Sequence, residues 1–198
     1  MGANFINSCL EEFSKTFCDS ISKFNNENLK SEDIEIIMSI LSNYVPNCIV
    51  KSSLSCHVSE LNSLEPETRN FANRLVKAIE IANSDIHRAV THNKGIMNGV
   101  DAVAIATGND FRAIEAGAHA YASIGKYKSL SKAYIKNEIF YFELKLPLAI
   151  GTIGGVTNLH PLVKLALEIL ENPNAKELMN IIALSLIHIS EPTRPLEI

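Results

Sequence analysis

The first pattern in the chain is an apolar stripe over residues 2–24. Phe5, Cys9, Phe13, Phe17, Ile21 and Phe24 recur at spacings of four and three, with Ile6, Leu10 and Cys18 beside them, which predicts an amphipathic helix. Gly2 and Asn4 fall in its opening turn, so this helix is expected to start almost at Met1. The polar run 25–33 reads as a loop. Two runs rich in β-branched and aliphatic residues follow, 34–43 and 49–58, separated by the turn signal Tyr44-Val45-Pro46-Asn47. They predict an antiparallel hairpin, although the periodicity of the first run also fits a helix.

Glu65-Pro66-Glu67 has the makeup of a helix start, with proline in the first turn and acids at the positive end of the dipole. Phe71, Leu75, Ala78, Ile79 and Ala82 supply the buried stripe of that helix. Two more helices are predicted over 96–107 and 110–122, broken at Gly108-Asn109, the second capped by Asn109 or Asp110. Their alanines and glycines let other backbone approach closely. Residues 139–146 alternate, with Phe140, Phe142, Leu144 and Leu146 on one side and Tyr141, Glu143 and Lys145 on the other, as in a half-buried strand. A glycine-rich block, Gly151 to Gly155, precedes a helix from Pro161 with Leu162, Leu165, Ala166, Ile169 and Leu170 inward, and then a short helix over 174–183. The mixture implies an α/β (α+β) fold rich in helix. The tail 184–194, LSLIHISEPTR, resembles the in-frame translation of a transposon-end sequencing adapter, so 184–198 is expected to be a non-native tail.

Composition narrows the function classes. A chain of 198 residues suits one domain, or one and a fragment, and can bury roughly 70% of its unfolded surface. A net charge of -4 gives no basic footprint for nucleic acid. There is neither an apolar run of the ~18 residues that cross a membrane nor a signal-peptide pattern, which predicts a cytoplasmic protein without membrane attachment. Cys9, Cys18, Cys48 and Cys56 form no CxxC pair and are expected to be reduced, buried thiols. His87 and His92 are five apart, too far round a helix to share a metal, and Glu115 and His119 lack a third ligand, so no metal is expected. The glycine block is not GxGxxG, and by spacing a tight turn is the better reading than an anion cradle.

The densest chemistry lies in 88–122, RAVTHNKGIMNGVDAVAIATGNDFRAIEAGAHAYA. Lys94 sits among small apolar residues, where it would be desolvated, and a nearby Asp110 carboxylate would keep it charged. Such a lysine can stabilise a developing oxyanion. The competing reading is an ordinary solvated lysine.

Three stretches in order carry a family resemblance. HNKGIMNGVDAVAIATGNDFRAIEAGAHAYA resembles the signature of hydroxymethylglutaryl-coenzyme A reductase, MGAN at Met1 to Asn4 resembles the end of that family's DAMGAN cofactor motif, and GTIGGVTNLHP at Gly151 to Pro161 is similar to its third glycine-rich block. The likeness spans 1–183 and is to the class II, bacterial-type enzymes: where class I enzymes carry their catalytic lysine in a SGNYCTDKK-like segment, this chain reads LSNYVPNCI.

The resemblance implies reduction of a thioester to an alcohol by two hydrides from NADPH or NADH, giving mevalonate and coenzyme A through a hemithioacetal and an aldehyde. It implies Lys94 as holder of the hemithioacetal oxyanion and Asp110 as the group that tunes its charge. Arg88 matches the clamp on the substrate's free carboxylate, Asn98 a polar residue lining the pocket, and Met1, Gly2 and Asn4 the helix start at the cofactor phosphates. It further implies a homodimer or higher homo-oligomer, with residues 1–62 from a small ferredoxin-like cofactor domain and 63–183 from a large substrate domain. The family's catalytic glutamate, upstream of DAMGAN, and its C-terminal flap histidine have no counterpart in the chain, and His188 does not match the latter. Expressed as written, the polypeptide is therefore expected to be inactive and poorly folded. A non-catalytic α/β module binding acyl-CoA or a nucleotide is the alternative, against which the presence of both Lys94 and Asp110 speaks. A generic Rossmann oxidoreductase lacks its GxGxxG.

Overall fold

The alternation over 139–146 builds the centre of the fold. A computed structural model of the chain describes residues 3–23, 34–64, 70–153 and 160–189. Strand β3 (Ile139–Pro147) is the middle of a three-stranded antiparallel sheet, flanked by β1 (Ile49–His57) and β2 (Ser131–Lys136) in the order β1-β3-β2. Phe140, Leu144 and Leu146 are buried on its inner face, beside Val50 and Ser52 of β1 and Ala133 of β2. β2 and β3 join through Asn137 and Glu138, both at positive φ (51° and 61°), the backbone twist that matches a two-residue hairpin to its strands.

The helices are α1 (Ala3–Lys23), α2 (Val58–Leu64), α3 (Phe71–Ser84), α4 (Ile86–Ala106), α5 (Phe111–Ala122), α6 (Pro161–Ile169) and α7 (Ala175–Ile189). α3 packs on β2, α5 on β3 and α7 on β1, while α4 runs between α3, α5 and α7. The main core joins Ile96, Met97 and Val100 of α4 to Ile114 of α5, Leu144 and Leu146 of β3, and Leu178 and Ile182 of α7. Apolar burial of this kind is the main favourable term in holding such layers together.

Several expectations change. Residues 34–43 form no strand, and β1 takes the distant β3 as its partner, from Ile49↔Pro147 to His57↔Ile139. The reason is visible in the first run, whose Ile37, Met38 and Ile40 are exposed and whose Leu41 N–H is taken by the Asn7 side chain at 2.9 Å. α1 forms as predicted, but Phe5, Phe13 and Phe17 of its stripe are exposed. α6 turns Val163 and Leu167 inward and leaves Leu162, Leu165 and Ile169 exposed, the reverse of the expected face. No cysteine is buried: Cys9 and Cys48 are exposed, Cys18 and Cys56 half-buried, and all four are free. The short last helix runs on to Ile189, through the first residues of the atypical tail. The Glu65-Pro66-Glu67 helix start lies outside the described residues.

Candidate functional site

α4 presents the chemistry. Asp85 caps it, its carboxylate accepting from the N–H groups of His87 (3.3 Å) and Arg88 (3.2 Å). The helix therefore begins ten residues before the predicted start at 96 and carries Arg88, His92, Lys94 and Asn98 on one rigid rod. Ala89, Asn93, Ile96, Met97, Val100 and Ala104 face inward and fix its rotation.

That rotation turns Lys94 and Asn98, one turn apart, to the exposed side. Lys94 makes no ion pair or hydrogen bond among the described residues. Arg88 is half-buried and lies about 120° round the helix from Lys94 at 3.6 residues per turn. Asp110 is the N-cap of α5: its Oδ1 accepts from the N–H groups of Arg112 (3.1 Å) and Ala113 (3.2 Å), and Arg112 Nε stands 3.8 Å away. The expected Lys94–Asp110 ion pair is thus not formed, and Lys94 is not desolvated, because Asp110 is occupied in capping and α4 points Lys94 outward. Met1 and Gly2 lie outside the described residues. Asn4 falls in the first turn of α1, which has no acidic side chain there.

Three polar arrangements steady this rod, and the sequence reading did not single them out. Asn93, fully buried next to Lys94, donates from Nδ2 to Tyr127 Oη (3.1 Å) and to the Lys128 carbonyl (3.0 Å), and accepts from the Leu130 N–H (3.0 Å). All its capacity but one lone pair is used, as a buried amide requires. Tyr127 Oη in turn bonds His119 Nδ1 at 2.8 Å, linking α5 to the same knot. The available signal was an asparagine at a core position, four residues after Ala89 and four before Met97.

His92 Nε2 bonds Ser131 Oγ at 2.7 Å, and burial, aided by the charge of Arg88, lowers its pKa to about 4. The ring is neutral at neutral pH. At the α4–α5 turn, Gly108 takes a positive φ of 69°, and Asn109 reaches both ways: its Nδ2 donates to Thr107 Oγ1 (3.1 Å) and its Oδ1 accepts from Gly151 N (2.9 Å). The turn before Asp110 is thereby tied to the start of the third glycine-rich block. Residues 154–159 of that block lie outside the described residues.

Asp101, two turns beyond Lys94, faces Glu115 of α5. Burial first, then the charge of Glu115 and a hydrogen bond with its carboxyl, push the Asp101 pKa up to about 6, and Asp101 Oδ1 is buried without a hydrogen-bond partner. Two carboxyls this close share a proton more readily than they both ionise. Among the described residues no group of three His, Cys, Asp or Glu is placed to hold a metal, and no helix is long and apolar enough to cross a membrane.

Sheet, helical layer and outward lysine together define the class, an α+β protein built round a capped central helix that offers a free ammonium and a carboxamide on one side. The chain belongs to the hydroxymethylglutaryl-coenzyme A reductase family, whose sequence model matches residues 1–187. It is 35% identical over 184 residues to the 3-hydroxy-3-methylglutaryl-coenzyme A reductase of Archaeoglobus fulgidus, covering 92% of this chain and 38% of that protein. A probable reductase of Borreliella burgdorferi is 32% identical, covering 92% and 40%. The class II enzyme of Streptococcus pneumoniae bound to NADPH in open conformations matches with a TM-score of 0.78 and 38% identity, over 93% of this chain and 48% of that one. A second structure of the same organism's reductase gives 0.78 and 35%, over 98% and 46%. The chain thus spans about two fifths of the curated relatives it matches and about half of the solved ones.

Proposed function

We propose that this chain carries the substrate-side half of a class II reductase site, in which hydroxymethylglutaryl-coenzyme A is reduced to mevalonate and free coenzyme A. The observation that carries the reading is Lys94: an exposed ammonium without a partner among the described residues, held on a helix whose opposite side is core. A cation so placed is free to meet negative charge that develops beside it. In the reaction, two hydrides and two protons convert the thioester into a primary alcohol and a thiol. Lys94 holds the oxygen that becomes anionic at the first hydride addition. Asn98, one turn on, donates to the same pocket, and Arg88 grips the free carboxylate as a two-pronged donor. Asp110, fixed as a helix cap at the α4–α5 turn, is assigned the charge-tuning role that the resemblance implies.

The hydride source is NADPH or NADH, the first being the ligand of the similar pneumococcal structure. Met1, Gly2 and Asn4, in the stretch matched to the family's cofactor motif, are the residues that would meet its phosphates. The acid-free first turn of α1 suits an anion. We further propose a cytoplasmic homodimer or higher homo-oligomer, a second subunit covering the open side of Lys94.

The test is a chimera in which residues 3–183 replace the matching segment of the pneumococcal enzyme. Substrate-dependent oxidation of NADPH with formation of mevalonate is expected. Binding of the acyl-coenzyme A without any oxidation would instead favour the non-catalytic module.

A further inference from the structure

The sheet's outer face holds lysines that the site on α4 does not use. Pairing sets Lys132 opposite Glu143 and Lys51 opposite Lys145, all four on one face. Like charges directly opposite destabilise a strand pair. Lys51 relieves this by turning to Glu143 Oε1 at 3.1 Å, which uses the carboxylate and leaves Lys145 without one.

Lys145 and Lys132 are joined by Lys128 on the wall of a cavity of about 320 Å³, whose lining also includes Glu143, Tyr121 and Ser129. None of the three lysines has an acidic partner among the described residues, and the single carboxylate on the wall is already matched by Lys51. The C-terminus of α5 at Ala122 also reaches the cavity, but a helix end contributes only about half a negative charge against three full positive ones. Lys128 and Lys132 line a second depression too, with Asn83 and Tyr134, so there is room beyond the charged centre. In a chain whose net charge is -4, this is a local concentration of positive charge and not a basic surface in general.

We propose that this cavity binds a phosphate-bearing small molecule, its phosphate seated among Lys128, Lys132 and Lys145. A carboxylate would neutralise one of the three ammoniums, whereas a phosphate or diphosphate presents the multiple charge and acceptor oxygens that compact ammoniums match. The volume falls at the lower end of small-molecule sites. Arg88, Lys94, Asn98 and Asp110 do not line it, so the site stands whether or not the reductase reading does.

The probe is inorganic pyrophosphate, titrated into the purified chain near 10 mM ionic strength, where screening sets in only beyond about 30 Å, and followed by heat and by backbone amide shifts. Saturable binding is expected, with shifts confined to the neighbourhood of residues 121–132 and 143–145. Lys132→Gln and Lys145→Gln should each weaken it about fivefold, the ratio a well-placed exposed charge contact supports. Lys136→Gln, on the same face of β2 but outside the cavity, should leave it unchanged. Coenzyme A and NADPH are then offered against bound pyrophosphate: displacement assigns the site to a coenzyme's phosphate tail, and no displacement assigns it to a free phosphorylated metabolite. Absence of saturable binding, or equal weakening by Lys136→Gln, overturns the proposal.

Discussion

At the scale of single residues, His92 and Asp101 give the fold two opposed pH dependences. His92 has a folded pKa near 4 against 6.5 when free, so as pH falls from 6.5 towards 4 the unfolded chain binds the proton first and stability drops. The loss is on the order of 3 kcal/mol, at about 1.4 kcal/mol per pH unit. Asp101 runs the other way: its pKa rises from 3.8 to about 6 on folding, so its contribution is complete below 3.8 and lost as pH rises through 6. Urea unfolding at pH 4.5 and 7 separates them. His92→Gln should flatten the acid-side loss, and Asp101→Asn should stabilise at pH 7, by about 1 kcal/mol after allowance for solvent screening. Gly117 supplies a further test, since a Cβ there would stand 2.9 Å from the Asn43 carbonyl oxygen. Although alanine favours helix by about 1 kcal/mol, Gly117→Ala should lower stability by about 1 kcal/mol net, read from the same unfolding curves. Of the proposed site, Lys94, Asn98 and Arg88 come from the motif alone. The Asn93–Tyr127–His119 knot was not legible in the sequence, because its partners are 34 and 8 residues apart in the chain.

Among the elements, those with a strong local pattern were legible and those defined by distant pairing were not. α1, α3, α5 and β3 announce themselves through period and caps. β2 did not, since SKAYIK is short and half lysine and serine, and its strand character rests on pairing with β3. β1 was read as a strand but given its sequence neighbour as partner, whereas its mate lies about ninety residues on. The sequence division at residue 62 accordingly passes between β1 and its two sheet partners. α6 was turned the wrong way because its apolar residues are numerous enough to suit two faces, and contact with α4 decides between them. For α7 the cap is decisive. Asn174 Oδ1 accepts from the N–H groups of Lys176 and Glu177, both at 3.0 Å, and Glu177 Oε2 accepts from Asn174 N at 2.8 Å, a reciprocal capping box. Asn174→Ala should cost about 1 kcal/mol of stability, visible as a lowered thermal midpoint.

For the molecule as a whole, the helical layer and sheet form one packed body round α4, while α1 and residues 34–43 carry exposed Phe13, Phe17, Ile37 and Met38 at 45–73% of full accessibility. Exposed apolar side chains gathered on one part of a soluble protein are commonly covered by further protein. The proposed role of Lys94 carries the account, and its substitution is the most direct test of it. In the chimera with the pneumococcal enzyme, Lys94→Ala should lower kcat for substrate-dependent NADPH oxidation by about 10²- to 10³-fold while the fold, followed by circular dichroism, is kept. A Lys94→Ala chimera that turns over as fast as its parent would contradict the assignment of this site.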